Sequence, residues 1–194
     1  MYVITNVPKD ILDQLDKEIH KKSLERFNHN LAGNLKQEYS IPEAKPILMP
    51  FMNACVQEHS KQFSYFKNAV ETLSSQKELK FLSLWVNFQQ KHEFNPVHKH
   101  SGLFSFVIWH KMPYTFEEEA KRFPHMKKDE CQAGCFNFIY TDPLGKVETE
   151  AIRADKSFEG KIAFFPAKLA HCVYPFYTSD EYRITVSGNL VFDV

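Results

Sequence analysis

From residue 79 to the end of the chain, apolar residues return at a two-residue period in short runs, turn residues separate the runs, and helical spacing is nearly absent. Alternation of that kind puts successive side chains on opposite faces of a strand. Leu82, Leu84, Val86 and Phe88 alternate with Phe81, Ser83, Trp85 and Asn87. Leu103 to Trp109 is apolar on both faces. Phe136 to Tyr140 runs into Asp142-Pro143-Leu144-Gly145, a turn signature, and Val147 to Ile152 reads as the returning strand of a hairpin. Lys161–Phe165, Cys172–Phe176 and Tyr182–Phe192 supply three more strands. A parallel α/β sheet needs a crossover helix between each pair of strands, and that pattern is missing here. The prediction is therefore a mainly β protein, a jelly roll, with N-terminal helices.

Ahead of the strands, Ile11, Leu12, Leu15 and Ile19 recur at helical spacing after Pro8. A second helix is predicted from Pro50, and Tyr65 to Leu73 extends it or forms another. Residues 23–45 are polar, carry Gly33 and two prolines, and read as a loop. Residues 111–133 are charged and read as a long loop with a short helix at Phe116–Arg122. With 194 residues, the chain suits a single domain. Its helical part, 1–78, would pack on the sheet of a jelly-roll core, 79–194. Flat aromatic sheet faces, from 18 Phe and 8 Tyr, leave a homodimer open.

Charge narrows the partners. Lys plus Arg and Asp plus Glu are both 24, so the formal charge is zero and no basic field invites a nucleic acid. No apolar run reaches membrane length, and the N-terminus lacks the pattern of a secretory signal. The reading is a soluble, cytoplasmic protein. Four cysteines are too few for a disulfide scaffold, and Cys131 and Cys135, with three residues between them, read as reduced thiols.

The candidate chemistry lies in histidines and one arginine. His98 and His100 flank Lys99, and in an extended segment residues two apart face the same way, their Cβ atoms about 6–7 Å from one another. Two imidazoles so placed can converge on one metal. His171, lying between two predicted strands, is the third candidate. On the last strand, Arg183, Thr185, Ser187 and Asn189 share one face, and Tyr182, Ile184, Val186 and Leu190 mark the other. A buried arginine needs a partner, and its planar fork suits a carboxylate, with a hydroxyl adding a further bond.

His98-x-His100, then His171, then Arg183-x-Thr185 resembles the Fe(II)- and 2-oxoglutarate-dependent oxygenases. Trp85-x-Asn87 through Asn95-Pro96-Val97-His98-Lys99-His100-Ser101-Gly102 looks closest to a prolyl-hydroxylase-like branch, and similar chains are encoded by tailed phages. The resemblance covers roughly residues 80–192. It implies a double-stranded β-helix, the cupin-like jelly roll. It also implies Fe(II) held by His98, His100 and His171, and 2-oxoglutarate held by Arg183 and Thr185, with Ser187, Asn189 and Asn87 as further contacts. The implied reaction hydroxylates a small-molecule or peptide substrate and converts 2-oxoglutarate to succinate and carbon dioxide. Trp85, Phe104, Phe106 and Phe164 would pack the barrel, and loops 89–97 and 111–133 would read the substrate.

One position departs from the family pattern: His100 stands where an Asp or Glu is usual. Three open ligand sets follow. All three histidines bind iron; or one of His98 and His100 binds, with Glu93, Asp142 or a water completing the set; or the metal is not iron. The alternative function is a cupin-like metal-dependent binding protein or non-oxidative enzyme for a small acid or sugar. The glutamate that follows the His pair in cupins is missing after His100.

Overall fold

The computed structural model describes residues 1–68 and 78–193. Two antiparallel sheets face each other. The larger has seven strands in the order β1-β9-β6-β11-β4-β3-β2, built from β1 (Val3–Asn6), β2 (Glu25–Arg26), β3 (Gln37–Ser40), β4 (Leu79–Gln89), β6 (Phe104–Lys111), β9 (Lys161–Pro166) and β11 (Arg183–Phe192). The smaller has four in the order β5-β10-β7-β8, built from β5 (Asn95–His98), β7 (Phe136–Thr141), β8 (Val147–Ile152) and β10 (Ala170–Val173). This is the jelly roll expected from the alternation. β7 and β8 form the hairpin, closed by Asp142, whose Oδ1 accepts from the backbone N–H of Leu144 and Lys146 at 2.8 and 2.9 Å. Gly145 at the tip takes a φ of +86°, open to glycine without strain.

Each sheet face has its own packing. Outward, the large sheet buries Phe81, Phe104, Phe106, Ile108 and Phe164 against α1 (Lys9–Ile19) and α2 (Lys45–Gln62). The helices bring Leu15, Ile19, Leu48, Met52 and Cys55, the face that the helical spacing marks. Between the sheets lie Val107, Trp109, Phe136, Phe138, Phe165 and Phe176. A third, small cluster joins Phe116 of α3 (Phe116–Lys121) to Cys131, Ala133 and Cys135. A Thr115–Glu118 capping box starts α3. The four cysteines are free and buried. No described helix is long and apolar enough to cross a membrane.

The structure corrects several expectations. Residues 1–78 are not only helical: β1, β2 and β3 come from them and extend the large sheet at both edges. Part of the predicted loop 23–45 is therefore strand, and it lies beside β4, where Glu38 faces Asn87. α2 begins at Lys45 rather than Pro50; Pro46 sits in its first turn, where an N–H would have no helical acceptor, and Pro50 is carried inside. The predicted helix 65–73 falls in part outside the described residues. A bulge against β11 interrupts β4, so Leu82 is 49% exposed and Phe81 joins the helix-facing core instead. Residues 95–98, expected as loop and lead-in, form β5, and His171 lies within β10 rather than between strands. The charged segment 111–133 is not a free loop: Met112, Tyr114, Phe116 and Glu119 are buried.

Candidate functional site

Between the sheets opens a narrow cleft lined by residues of both sheets. His98, His100 and His171 line its small-sheet side. β5 and β10 pair with His171 directly opposite His98. His100 follows at the next position on the same side, its backbone N–H bound to Ala167 O at 2.9 Å. Their metal-capable atoms lie within 4.8 Å of one another, and the described residues contain no other such group of histidine, cysteine or carboxylate side chains.

The ring hydrogen bonds set the chemistry of this cluster. His98 Nδ1 meets Pro96 O at 2.7 Å, and His171 Nδ1 meets Leu169 O at 2.9 Å. A carbonyl only accepts, so each Nδ1 carries the proton and each Nε2 keeps a free lone pair. His100 Nε2 and His171 Nε2 are 3.2 Å apart. Two nitrogens about 2.1 Å from a common ion at right angles would be separated by about 3.0 Å, so the observed spacing suits neighbouring ligands of one metal. Burial, then the neighbouring His98, push the His171 pKa down to about 3; burial and His98 push His100 down to about 4; burial lowers His98 as well. All three rings are neutral near pH 7, the form that binds a metal. The ring of His171 stacks on Phe136 at 5.3 Å, and His100 packs 5.6 Å from Trp85, which holds both in place. The donor set fits a divalent transition metal.

Glu93 and Asp142 do not join it. Glu93 Oε1 and Oε2 accept the backbone N–H groups of Lys36 and Gln90, at 3.1 and 2.8 Å. Asp142 is committed to the hairpin turn. The alternative ligand sets built on those carboxylates have no geometric basis.

Arg183 lies on the large-sheet side, 1% exposed, and also lines the cleft. Its Nη1 donates to Tyr114 Oη and to Gly134 O, each at 3.1 Å, while its buried Nε has no partner. Among the described residues no carboxylate lies within 4.0 Å of it. Both protein acceptors are neutral, so the fold buries a cation without supplying its anion. Asn87 and Thr185 stand side by side in the β4–β11 register, and Asn87 Nδ2 donates to Thr185 Oγ1 at 3.0 Å. Ser187 lines the cleft too; Asn189 does not, since its Nδ2 is bound to Ser83 Oγ at 2.9 Å. Trp85 is a cleft residue, whereas Phe104, Phe106 and Phe164 belong mainly to the helix-facing core.

Two supporting residues escaped the sequence reading. Tyr114 Oη donates to Gly134 O at 3.0 Å, its ring stacks on Phe176 at 4.9 Å, and it presents its oxygen to Arg183. Gly134 has a φ of +70°, and a Cβ there would come within 2.6 Å of the Tyr114 ring. Neither carries a sequence signal, because each acts through a residue 49 or more positions away. Glu38, on β3, also lines the cleft; it lay in the segment read as loop.

Comparison with known proteins agrees with this geometry. Among solved structures, the chain is similar to a Pseudomonas putida prolyl-4-hydroxylase (TM-score 0.59, 12% identity, covering 100% of this chain and 93% of that one). It is also similar to an oxidoreductase of the 2OG-Fe(II) oxygenase family from Burkholderia pseudomallei (0.58, 12%, 98% and 84%). A third likeness is to the viral collagen prolyl hydroxylase of Paramecium Bursaria Chlorella virus-1 (0.52, 13%, 97% and 94%). At these identities the likeness shows the fold, a double-stranded β-helix. Comparison with curated proteins gave no match. A model of the family described as "Putative 2OG-Fe(II) oxygenase" matches residues 83–189, more than half of the chain and the whole span from Asn87 to Ser187. That match decides between an oxygenase and a cupin-like binding protein: the chain belongs to the 2OG-Fe(II) oxygenase family, enzymes whose cofactors are Fe(II) and 2-oxoglutarate.

Proposed function

We propose that this oxygenase binds Fe(II) through His98, His100 and His171 and 2-oxoglutarate through Arg183 and Thr185. It then hydroxylates a small-molecule or peptide substrate. The balanced reaction takes one substrate C–H, dioxygen and 2-oxoglutarate to the alcohol, succinate and carbon dioxide. The bound iron supplies the oxidising chemistry; the protein supplies placement.

The observation that carries the reading is Arg183. It is buried, it has no anionic partner among the described residues, and it lines the same cleft as three neutral, lone-pair-bearing imidazoles. A dicarboxylate joining metal to arginine satisfies both needs at once: one end chelates, the other receives the fork. Thr185 Oγ1, which accepts from Asn87, keeps its own hydrogen free to donate to that distal carboxylate. Ser187 adds a hydroxyl one step along the strand. Trp85, Phe136 and Phe165 line the rest of the cleft and keep water from the reacting centre.

The test is an anaerobic titration of iron(II)-loaded protein with 2-oxoglutarate, read as the visible charge-transfer band of an Fe(II)–2-oxo acid chelate. A saturable band that is lost in His171→Ala and displaced to far higher concentrations in Arg183→Ala is the expected result. Stoichiometric metal without a band would overturn the reading.

A further inference from the structure

On the β3–β4 side of the cleft, and at the start of β5, buried acceptors are left short of donors. Glu38 is 1% exposed, yet the only hydrogen bond to its carboxyl group among the described residues comes from Asn28 Nδ2, at 3.4 Å. No Lys, Arg or His nitrogen among them lies within 4.0 Å. The neighbouring acid, Glu93, offers no relief: both its oxygens already take backbone N–H groups, and its charge repels. Asn87, in register with Glu38, spends its Nδ2 on Thr185 and leaves Oδ1 buried with no partner. Asn95 Oδ1, at the start of β5, is likewise buried and unpartnered. All three residues line the cleft that holds the His cluster. A carboxylate left in such surroundings is costly unless a donor arrives, and a cationic N–H group meets both its charge and the acceptors around it.

Building on the proposed function, we propose that Glu38 is a specificity-determining residue that receives a cationic nitrogen group of the substrate, an alkylammonium or guanidinium. Asn87 and Asn95 take further N–H bonds from it. Burial, then Glu93, push the Glu38 pKa up to about 7, and an arriving cation would draw its proton off and restore the ion pair. The same wall cannot serve 2-oxoglutarate, a dianion. Arg183 and Glu38 thus divide the cleft into a side for the anionic cosubstrate and a side for a cationic substrate.

The chemistry has two sources, a free amine or a basic residue within a peptide, and the experiment separates them. Zn(II)-loaded protein with saturating 2-oxoglutarate is titrated by ligand-observed NMR with n-butylammonium, n-butylguanidinium and the uncharged n-butylurea. The cationic probes should bind about tenfold or more tighter than the urea, the worth of one charge-assisted hydrogen bond. That preference should vanish in Glu38→Gln and persist in Glu43→Gln, which removes an exposed carboxylate elsewhere. A second measurement needs no variant: in Mn(II)-loaded protein, paramagnetic broadening of the probe's methylene protons should place it in the cleft. A second arm compares L-lysine with a capped glycine-flanked lysyl pentapeptide, and tighter binding of either names the source. Equal binding of charged and uncharged probes to the wild type, or a charge preference untouched by Glu38→Gln, overturns the inference. If 2-oxoglutarate fails to bind, the proposed function falls, while the charge preference of the metal-loaded cleft still decides the role of Glu38.

Discussion

Replacing Arg183 by methionine separates a ligand-binding arginine from a structural one. In the ligand-free fold the guanidinium is a buried cation whose Nη1 meets two neutral acceptors, while Nε and Nη2 meet none among the described residues. Its removal orphans nothing essential, because Gly134 O still accepts from Tyr114 Oη. Methionine has a similar length and fills most of the space. The ligand-free protein should therefore keep its stability or gain about 1 kcal/mol from losing a desolvated charge. Binding of 2-oxoglutarate should suffer in the opposite sense. The variant loses a charge-assisted contact to a carboxylate in a water-poor cleft, about 2–4 kcal/mol, which is about 30- to 1,000-fold in Kd. Chemical denaturation with and without cosubstrate reads both effects. At a concentration 100 times the wild-type Kd, 2-oxoglutarate should stabilise the metal-loaded wild type by about 2.7 kcal/mol, and a variant weakened 100-fold by only about 0.4 kcal/mol. A ligand-free variant destabilised by more than about 3 kcal/mol, with its cosubstrate stabilisation intact, would refute the reasoning and make Arg183 a structural brace.

Four further outcomes follow from the same geometry. His171→Ala removes one of the three proposed ligands, and metal affinity measured by competition with a chelator should fall by about two orders of magnitude, roughly the effect of losing a well-oriented ligand. Acid should destabilise the metal-free protein: the unfolded chain takes up imidazole protons near pH 6.5, whereas the folded His100 and His171 refuse them until about 4 and 3. Stability should therefore fall as pH drops through that window, a trend that pH-resolved denaturation would miss if the rings were solvated. Gly134→Ala, with its positive φ and a Cβ aimed at the Tyr114 ring, should cost about 1–3 kcal/mol and weaken 2-oxoglutarate binding through Arg183, both readable by calorimetry. Glu119→Ala should cost about 3–5 kcal/mol in thermal unfolding, since that buried carboxylate holds Tyr177 N, Thr178 N and Thr178 Oγ1 and ties α3 to the loop after β10.

What could be read before folding, and what could not, divides by the range of the interaction. β7, β8 and β11 carry a two-residue period, and β6 and β9 an apolar run, within their own residues, and the hairpin turn announces itself in four. β2 and β3 are two and four residues long, too short to show a period; β3 takes its strand state by pairing with β4, and β2 by pairing with β3. β5 contains Pro96 and is recruited at the edge of the small sheet by β10. Leu82 misleads because a bulge, a property of two strands, inverts the faces of one. The site divides in the same way. His98 and His100 face one way by strand geometry alone, and Arg183 stands out as a charge in an apolar strand. Tyr114, Gly134 and Glu38 acquire their roles only where distant segments meet, and nothing local marks them.

The histidine at position 100 and the acid at position 38 are best understood together. In the usual ligand set a carboxylate offsets one of the two charges of Fe(II). The 2-oxoglutarate dianion and an arginine then bring the cleft to neutrality. With three neutral imidazoles the same sum leaves one positive charge, in a cleft whose polar groups are shielded from water. A cationic substrate would meet repulsion there, the more costly for the low local dielectric. An ionised Glu38 removes that excess without occupying a metal position. The negative charge has moved from beside the metal to the wall of the cleft, where it can still balance the whole and also face a substrate. A carboxylate at the metal is spent on the metal; one at Glu38, held by a single long bond from Asn28, remains free to choose a ligand.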